Sequence, residues 1–248
     1  MVQEKKERFW EIDAFRGIAI LMMIAYHVLF DLVYFGFTST DLNSLPVLVF
    51  LYPIGSLFLL LVGVSLTLSY NRVKQTFTKG QLRVKYLKRG GSIFGLGLLI
   101  TMVTWVYPHD GFIVFGILHC IGLSILLGYV FIRSRLAAVL IGIMCISVGV
   151  FLRVFVTVDY PWLLWVGVVP RSFYTLDYFP LLPWFGFVLL GIFLGNRLYQ
   201  DTTRKFKIKD VSEFIGTRLL CFLGKHSLII YLLHQIIIVG ILYLLAGG

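Results

Sequence analysis

The sequence predicts an all-α, polytopic transmembrane helix bundle of about seven spans with a cytoplasmic N-terminus. Three observations predict it. First, 59% of the 248 residues are apolar or aromatic and only 14% are charged, too little polar surface for a water-soluble chain of this length. Second, runs of roughly 20 mostly apolar residues, the length that crosses a bilayer, recur along the chain. Third, the basic residues gather between those runs instead of spreading through them.

The seven expected spans are Arg16–Gly36, Pro46–Tyr70, Gly90–Tyr107, Phe112–Ile132, Leu136–Thr157, Phe179–Tyr199 and Ser227–Ala246. Each should be helical, because unpaired backbone is costly in lipid. Glycines within them, such as Gly95 and Gly97, Gly116 and Gly122, or Gly142 and Gly149, point to close helix packing. The charged stretch Met1–Arg8 precedes an apolar run with no small-residue cleavage site, so that run is taken as a first span and not a removable signal. The chain is treated as one domain, 1–248, with basic cytoplasmic loops over about 71–89 and 200–226.

Orientation follows from cytoplasmic loops carrying the excess of Lys and Arg. Alternate connections hold 20 of the 22 basic residues, and only Arg153 and Arg171 fall on the other side. This places the N-terminus inside and the C-terminus outside, as a multi-pass protein of the cell membrane. The net charge of +10 is thereby explained by topology, and nucleic acid is not an expected partner. Two segments stand apart. Trp162–Pro170 is apolar but too short to cross, which suggests an interfacial or re-entrant piece with Trp162 and Trp165 in the aromatic belt. Asp210–Phe222 opens with Asp-x-x-Glu and places Val211, Phe214, Ile215, Leu219 and Phe222 on one face, the pattern of a surface helix.

Ionisable groups at membrane depth are expensive and mark functional sites by default. On the first helix Arg16, Met23, His27 and Asp31 fall on one stripe at 3.6 residues per turn. His27 lies about 16 Å from Arg16 along the axis, and Asp31 is one turn further on. A His–Asp pair in a dry site suits general-base chemistry, with the carboxylate fixing the imidazole tautomer. An interhelical hydrogen-bond clamp is the other reading. His119 overlaps in depth and is either a site residue or a satisfied core histidine. Arg153 is either a partner for Asp31 or an arginine snorkelling to the headgroups. Asp177 and Tyr178 either line the mouth of the cavity or anchor the interface. His234 lies deeper in the last helix, as polar packing or part of a channel, while His226 suits a helix cap and His109 a solvated turn.

No His-Glu-x-x-His or paired-cysteine motif is present, and Cys120, Cys145 and Cys221 stand singly in apolar stretches, so no metal is expected. No phosphate loop or nucleophile elbow is present either. The clusters of Arg and Lys suit anions, whether lipid headgroups or a phosphorylated ligand.

The stretch Glu11-Ile12-Asp13-Ala14-Phe15-Arg16-Gly17-Ile18-Ala19, followed by Met23 and His27, resembles the opening helix of the heparan-α-glucosaminide N-acetyltransferase catalytic-domain family, and in particular its small prokaryotic members. Phe58–Gly63, Phe115–His119, Asp177–Trp184 and Gly224–Gln235 fit the same pattern. The sequence departs from the lysosomal member of that family at His27, where that protein has Asn, and it has no histidine between His27 and His109. The resemblance implies an acyltransferase that moves an acetyl group from cytoplasmic acetyl-CoA, as co-substrate, to an amino-sugar-like or hydroxyl acceptor reached from the outer side. It implies catalytic roles for His27, Asp31 and His119, acyl-donor binding by Arg16, Lys85 and Arg89, and acceptor binding by Arg153 and Asp177. The expected partners are the lipid bilayer and a small-molecule or glycan acceptor, with homo-oligomerisation left open. A small proton-coupled transporter or channel is the alternative, although no inverted repeat is visible.

Overall fold

The computed structural model describes residues 8–200 and 203–245. The tail residues Lys5 and Lys6, and Ala246 at the end of the last expected span, lie outside them. Eight helices account for most of the described chain: α1 (Trp10–Tyr34), α2 (Leu45–Val73), α3 (Lys79–Val106), α4 (Ile117–Phe131), α5 (Arg135–Phe155), α6 (Leu181–Leu198), α7 (Ile215–Lys225) and α8 (Ser227–Leu245). Two-residue strands pair as β1 (Thr157–Val158) with β2 (Val169–Pro170), and β3 (Tyr199–Gln200) with β4 (Thr203–Arg204).

Six of these helices are long and apolar enough to cross a bilayer: α1, α2, α3, α5, α6 and α8. The fold class is therefore as expected, but the count of seven spans is not reached. The expected fourth span, Phe112–Ile132, is shortened to the 15 residues of α4. That is about 22 Å of helix, less than the hydrocarbon thickness. Its first turn is displaced because Phe115 pairs with Tyr178 as a β-bridge and Gly116 caps the helix in extended conformation. A count of six alters the parity on which the expected opposite placement of the two chain ends rests.

The basic stretch before the third span also differs from expectation. Residues Lys79 to Arg89 form the first turns of α3 and are not a loop. The cause is a capping box: Thr78 Oγ1 accepts from the Gln81 backbone N–H (3.3 Å) and Gln81 Oε1 accepts from the Thr78 N–H (2.8 Å). Trp162–Pro170 is not helical. It folds back through turns, burying Leu164 and Val168 and leaving Trp162 77% exposed, and its Trp165 and Val166 carbonyls accept from Leu181 and Leu182 N–H at the start of α6.

The chain divides into two compact units, residues 1–58 with 208–248, and residues 59–207. In the second unit Leu59, Leu66, Leu82, Tyr86, Ile125, Val188, Leu189 and Ile192 form a fully enclosed core. Small residues set the helix spacing there. A Cβ on Gly122 would lie 2.6 Å from the Phe94 nitrogen, and one on Gly186 would lie 2.6 Å from the Gly142 carbonyl oxygen. In membranes such close backbone contact replaces the hydrophobic drive that packs helices in water.

In the first unit α7 lies along α1. The opening motif of α1 explains how. Asp13 is buried between two arginines, Arg8 Nε at 3.1 Å and Arg16 Nη1 at 3.1 Å, and Arg16 also donates to the Gly224 carbonyl of α7 (3.4 Å). Gly17 faces the Leu220 carbonyl so closely that a Cβ there would overlap it, and Gly224 meets the Asp13 carbonyl in the same way. Cys221 Sγ donates to the Trp10 carbonyl (3.3 Å). α7 starts at Ile215, later than Asp210, because Asp210 Oδ1 closes a turn onto the Ser212 N–H (2.9 Å) and does not cap the helix. Phe214, Ile215, Leu219 and Phe222 point away from α1 and are exposed.

Substitution Gly17→Ala forces α1 and α7 apart. It should cost about 1–3 kcal/mol, read as a lowered thermal midpoint of the detergent-purified protein. Gly91→Ala, where a Cβ meets nothing within 4 Å, should leave that midpoint unchanged.

Candidate functional site

The polar stripe of α1 faces protein, as its spacing requires. Met23 and Asp31 are buried and His27 is partly so. The expected His27–Asp31 hydrogen-bonded pair is replaced by two contacts to α8. Both Asp31 oxygens accept from the Gln235 side-chain amide, at 2.7 and 2.9 Å. His27 packs its ring edge-to-face against His234, with centroids 4.7 Å apart, and its ring centroid lies 5.8 Å from that of Tyr26. The physical reason is that an acid 2% exposed needs a donor that remains in place. The planar amide of Gln235, fixed on a neighbouring helix, spans both oxygens at once.

The donors and acceptors of this cluster can be counted. His234 Nδ1 lies 2.6 Å from the Tyr231 carbonyl, so that nitrogen carries a proton. Gln235 turns its nitrogen to Asp31, so its Oε1 points elsewhere. Three buried atoms are then left without a hydrogen-bond partner: His27 Nδ1, His234 Nε2 and Gln235 Oε1. Buried polar groups are nearly always paired, so three orphans in one cluster mark a place built for something else.

The second unit holds His119, and here the accounting closes. Its Nδ1 accepts from the Gly116 N–H (3.2 Å), which fixes the proton on Nε2. Nε2 lies 3.4 Å from Thr101 Oγ1, whose own proton goes to the Ile113 carbonyl (2.6 Å). The ring is 2% exposed and lies between Phe94 and Phe115. Gly97 leaves room for it, since a Cβ there would lie 3.0 Å from the imidazole. His119 therefore spends both nitrogens on holding the start of α4. Asp177 contributes to the same helix start: its Oδ2 accepts from the Ile117 N–H (2.9 Å), where a carboxylate also complements the helix dipole.

The remaining expected residues are placed as follows. Arg16 is engaged by Asp13 and Gly224 in the α1–α7 contact. Arg153 is exposed near the end of α5, close enough to Tyr178 to act on its charge. Burial pushes the Tyr178 phenol up, Arg153 opposes this, and the hydroxyl donates to the Leu164 carbonyl (2.7 Å). Lys85 and Arg89 stand one turn apart on α3, and Lys85 feels the positive charges of both Arg89 and Arg72. Its ammonium lies 5.6 Å from the Phe77 ring centroid and 5.5 Å from that of Tyr86. Arg72, at the end of α2, belongs to this cationic cluster although sequence reasoning did not single it out. His226 donates from Nδ1 to the Phe222 carbonyl (2.9 Å), closing the end of α7, and His109 does the same to Trp105 (2.7 Å). Among the described residues no three His, Cys, Asp or Glu side chains are placed to hold a metal ion.

Sequence reasoning gave His234 only a packing or channel role and missed the partnership of Gln235 with Asp31. A signal was available: His234-Gln235 is an adjacent polar pair inside an otherwise apolar helix. Which residues it meets is decided by how α1 and α8 pack.

A membrane-embedded helical protein with a buried imidazole pair and a separate cationic cluster is the class these features define. The family model for the heparan-alpha-glucosaminide N-acetyltransferase catalytic domain matches residues 8–236, and the chain belongs to that family. No curated protein and no solved structure matches the chain.

The Asp31–Gln235 contact should be measurable. Gln235→Leu strands a buried carboxylate and should lower stability by about 1–3 kcal/mol. Adding Asp31→Leu should recover much of that loss in a thermal double-mutant cycle, because both polar partners are then gone.

Proposed function

We propose that the protein is an acyltransferase that moves an acetyl group from acetyl-CoA to an amine or hydroxyl acceptor, amino-sugar-like in character. The observation that carries this reading is the imidazole pair His27–His234 with its unpartnered buried nitrogens. Acyl transfer to an amine or alcohol requires a group that removes a proton as the acceptor attacks. Two imidazoles in a dry, polar cluster are suited to that work, and membership of the N-acetyltransferase family supports the acyl group in question.

The donor end is assigned to the cationic cluster. Arg72, Lys85 and Arg89 gather positive charge in one place, and a polyanionic ligand is attracted to such a cluster. The phosphates of CoA are such an anion, and charge-assisted contacts to guanidinium and ammonium groups hold them strongly. The excess of Lys and Arg in this stretch favours a cytoplasmic face for it, where acetyl-CoA is available. The acceptor is assigned to the opposite side of the membrane. Arg153 and Asp177 are the groups proposed to meet it there, Arg153 through its exposed guanidinium.

The test is to purify the protein in detergent, measure acetyl-CoA binding, and follow acetyl transfer to amino-sugar and hydroxyl acceptors. Binding with transfer is expected. Lys85→Ala and Arg72→Ala should each weaken acetyl-CoA about tenfold or more, the loss of one charge-assisted contact, and the weakening should diminish in high salt. A protein that binds no acyl-CoA, or whose binding ignores both substitutions, sinks the assignment.

A further inference from the structure

Of the two imidazoles in the α1–α8 cluster, only one has a state fixed by the fold. His234 Nδ1 donates to the Tyr231 carbonyl at 2.6 Å, within its own helix. In the neutral ring the lone pair is then on Nε2, which is buried and without a partner. His27 has no comparable bond: its Nδ1 is also unpartnered, so nothing there selects which nitrogen holds the proton. A general base must present a lone pair from a ring that is already oriented, with a group behind it that steadies the positive charge it acquires. The Tyr231 carbonyl is that group for His234. The His27 ring, edge-on at 4.7 Å, limits rotation from the other side.

We infer that His234 is the proton-accepting catalytic residue of the acyl transfer, and that Gln235 Oε1 is a second acceptor that positions the attacking group. This rests on the acyltransferase reading above. The cluster offers the acceptor atoms His234 Nε2 and Gln235 Oε1, while the amide hydrogens of Gln235 are committed to Asp31. Both of these atoms accept, so the cluster fits a group that donates more than one hydrogen, such as a primary amine or a pair of hydroxyls. One X–H of the acceptor gives its proton to Nε2 while the X lone pair bonds to the carbonyl carbon of the acyl thioester. The C–S bond breaks with its electron pair on sulfur. Nε2 returns the proton to the thiolate, leaving a free thiol, an acylated acceptor and a neutral His234. Asp31 acts only through Gln235, as a positioning residue that keeps the amide turned so that its oxygen faces the acceptor.

The substitution His234→Asn separates base from structure. Its side-chain nitrogen can still donate to the Tyr231 carbonyl, but no atom stands where Nε2 was. The expected result is a kcat lowered about a hundredfold or more, with acetyl-CoA affinity within about twofold of wild type. Transfer by the variant within about threefold of the wild-type rate overturns the assignment, as does a joint loss of acetyl-CoA binding and transfer. Nitrogen NMR of histidine-labelled wild-type protein gives a second reading that needs no substitution. His234 should show a protonated Nδ1 and an unprotonated Nε2, and the reversed tautomer overturns the proposal. A wild-type protein that transfers no acetyl group sinks the acyltransferase reading itself. An active wild type beside an equally active His234→Asn sinks the base assignment alone.

Discussion

The first unit depends on a carboxylate that has been taken out of water. Asp31 is 2% exposed in the apolar second half of α1, and burying such a group is costly unless it is hydrogen-bonded. Gln235 meets that need with a single planar amide reaching both oxygens. The requirement fixes the register of α1 against α8, and with it the pairing of His27 with His234 one turn away. Satisfying one acid therefore decides where two imidazoles stand.

The two buried histidine environments differ in how completely their hydrogen bonds are spent. His119 accepts at one nitrogen and is paired at the other with Thr101, and the space it fills is cleared by Gly97. Its chemistry is absorbed by the start of α4, where Gly116 and Asp177 also work. His234 spends only Nδ1, on a carbonyl of its own helix, and its other nitrogen is left over. A histidine whose bonds are all internal holds a structure together, whereas one with a buried lone pair to spare can hold a ligand. In the sequence both are simply ionisable residues within apolar stretches, and that property does not distinguish these cases. Hydrogen-bond partners do.

The opening motif of α1 has a similar double aspect. As a string of letters, Glu-x-Asp-x-x-Arg-Gly invites a ligand-binding reading for Arg16. In the fold, Arg16 neutralises Asp13 three residues back, donates to a carbonyl at the end of α7, and precedes the glycine that lets α7 approach. These residues hold a helix whose other face carries exposed Phe214, Ile215, Leu219 and Phe222. Lys85 and Arg89, the cations proposed to meet an anion, stand one turn apart because the stretch from Lys79 onward is helical.

The sequence by itself determined the membrane setting, the helical class and most span positions, because length and hydropathy act locally and the bilayer permits few alternatives. It also determined that the stripe through Met23, His27 and Asp31 faces protein, since 3.6 residues per turn is a property of the helix alone. It overestimated α4, whose beginning is pulled out of helix by a bridge to Tyr178, 63 residues away. It underestimated α3, although the Thr78–Gln81 box was written in the chain. Tertiary structure alone decided the partners: Gln235 for Asp31, His234 for His27, Thr101 for His119, and the Gly224 carbonyl for Arg16. Such pairings depend on which helices lie side by side and at what height, and periodicity within one helix carries no information about its neighbour.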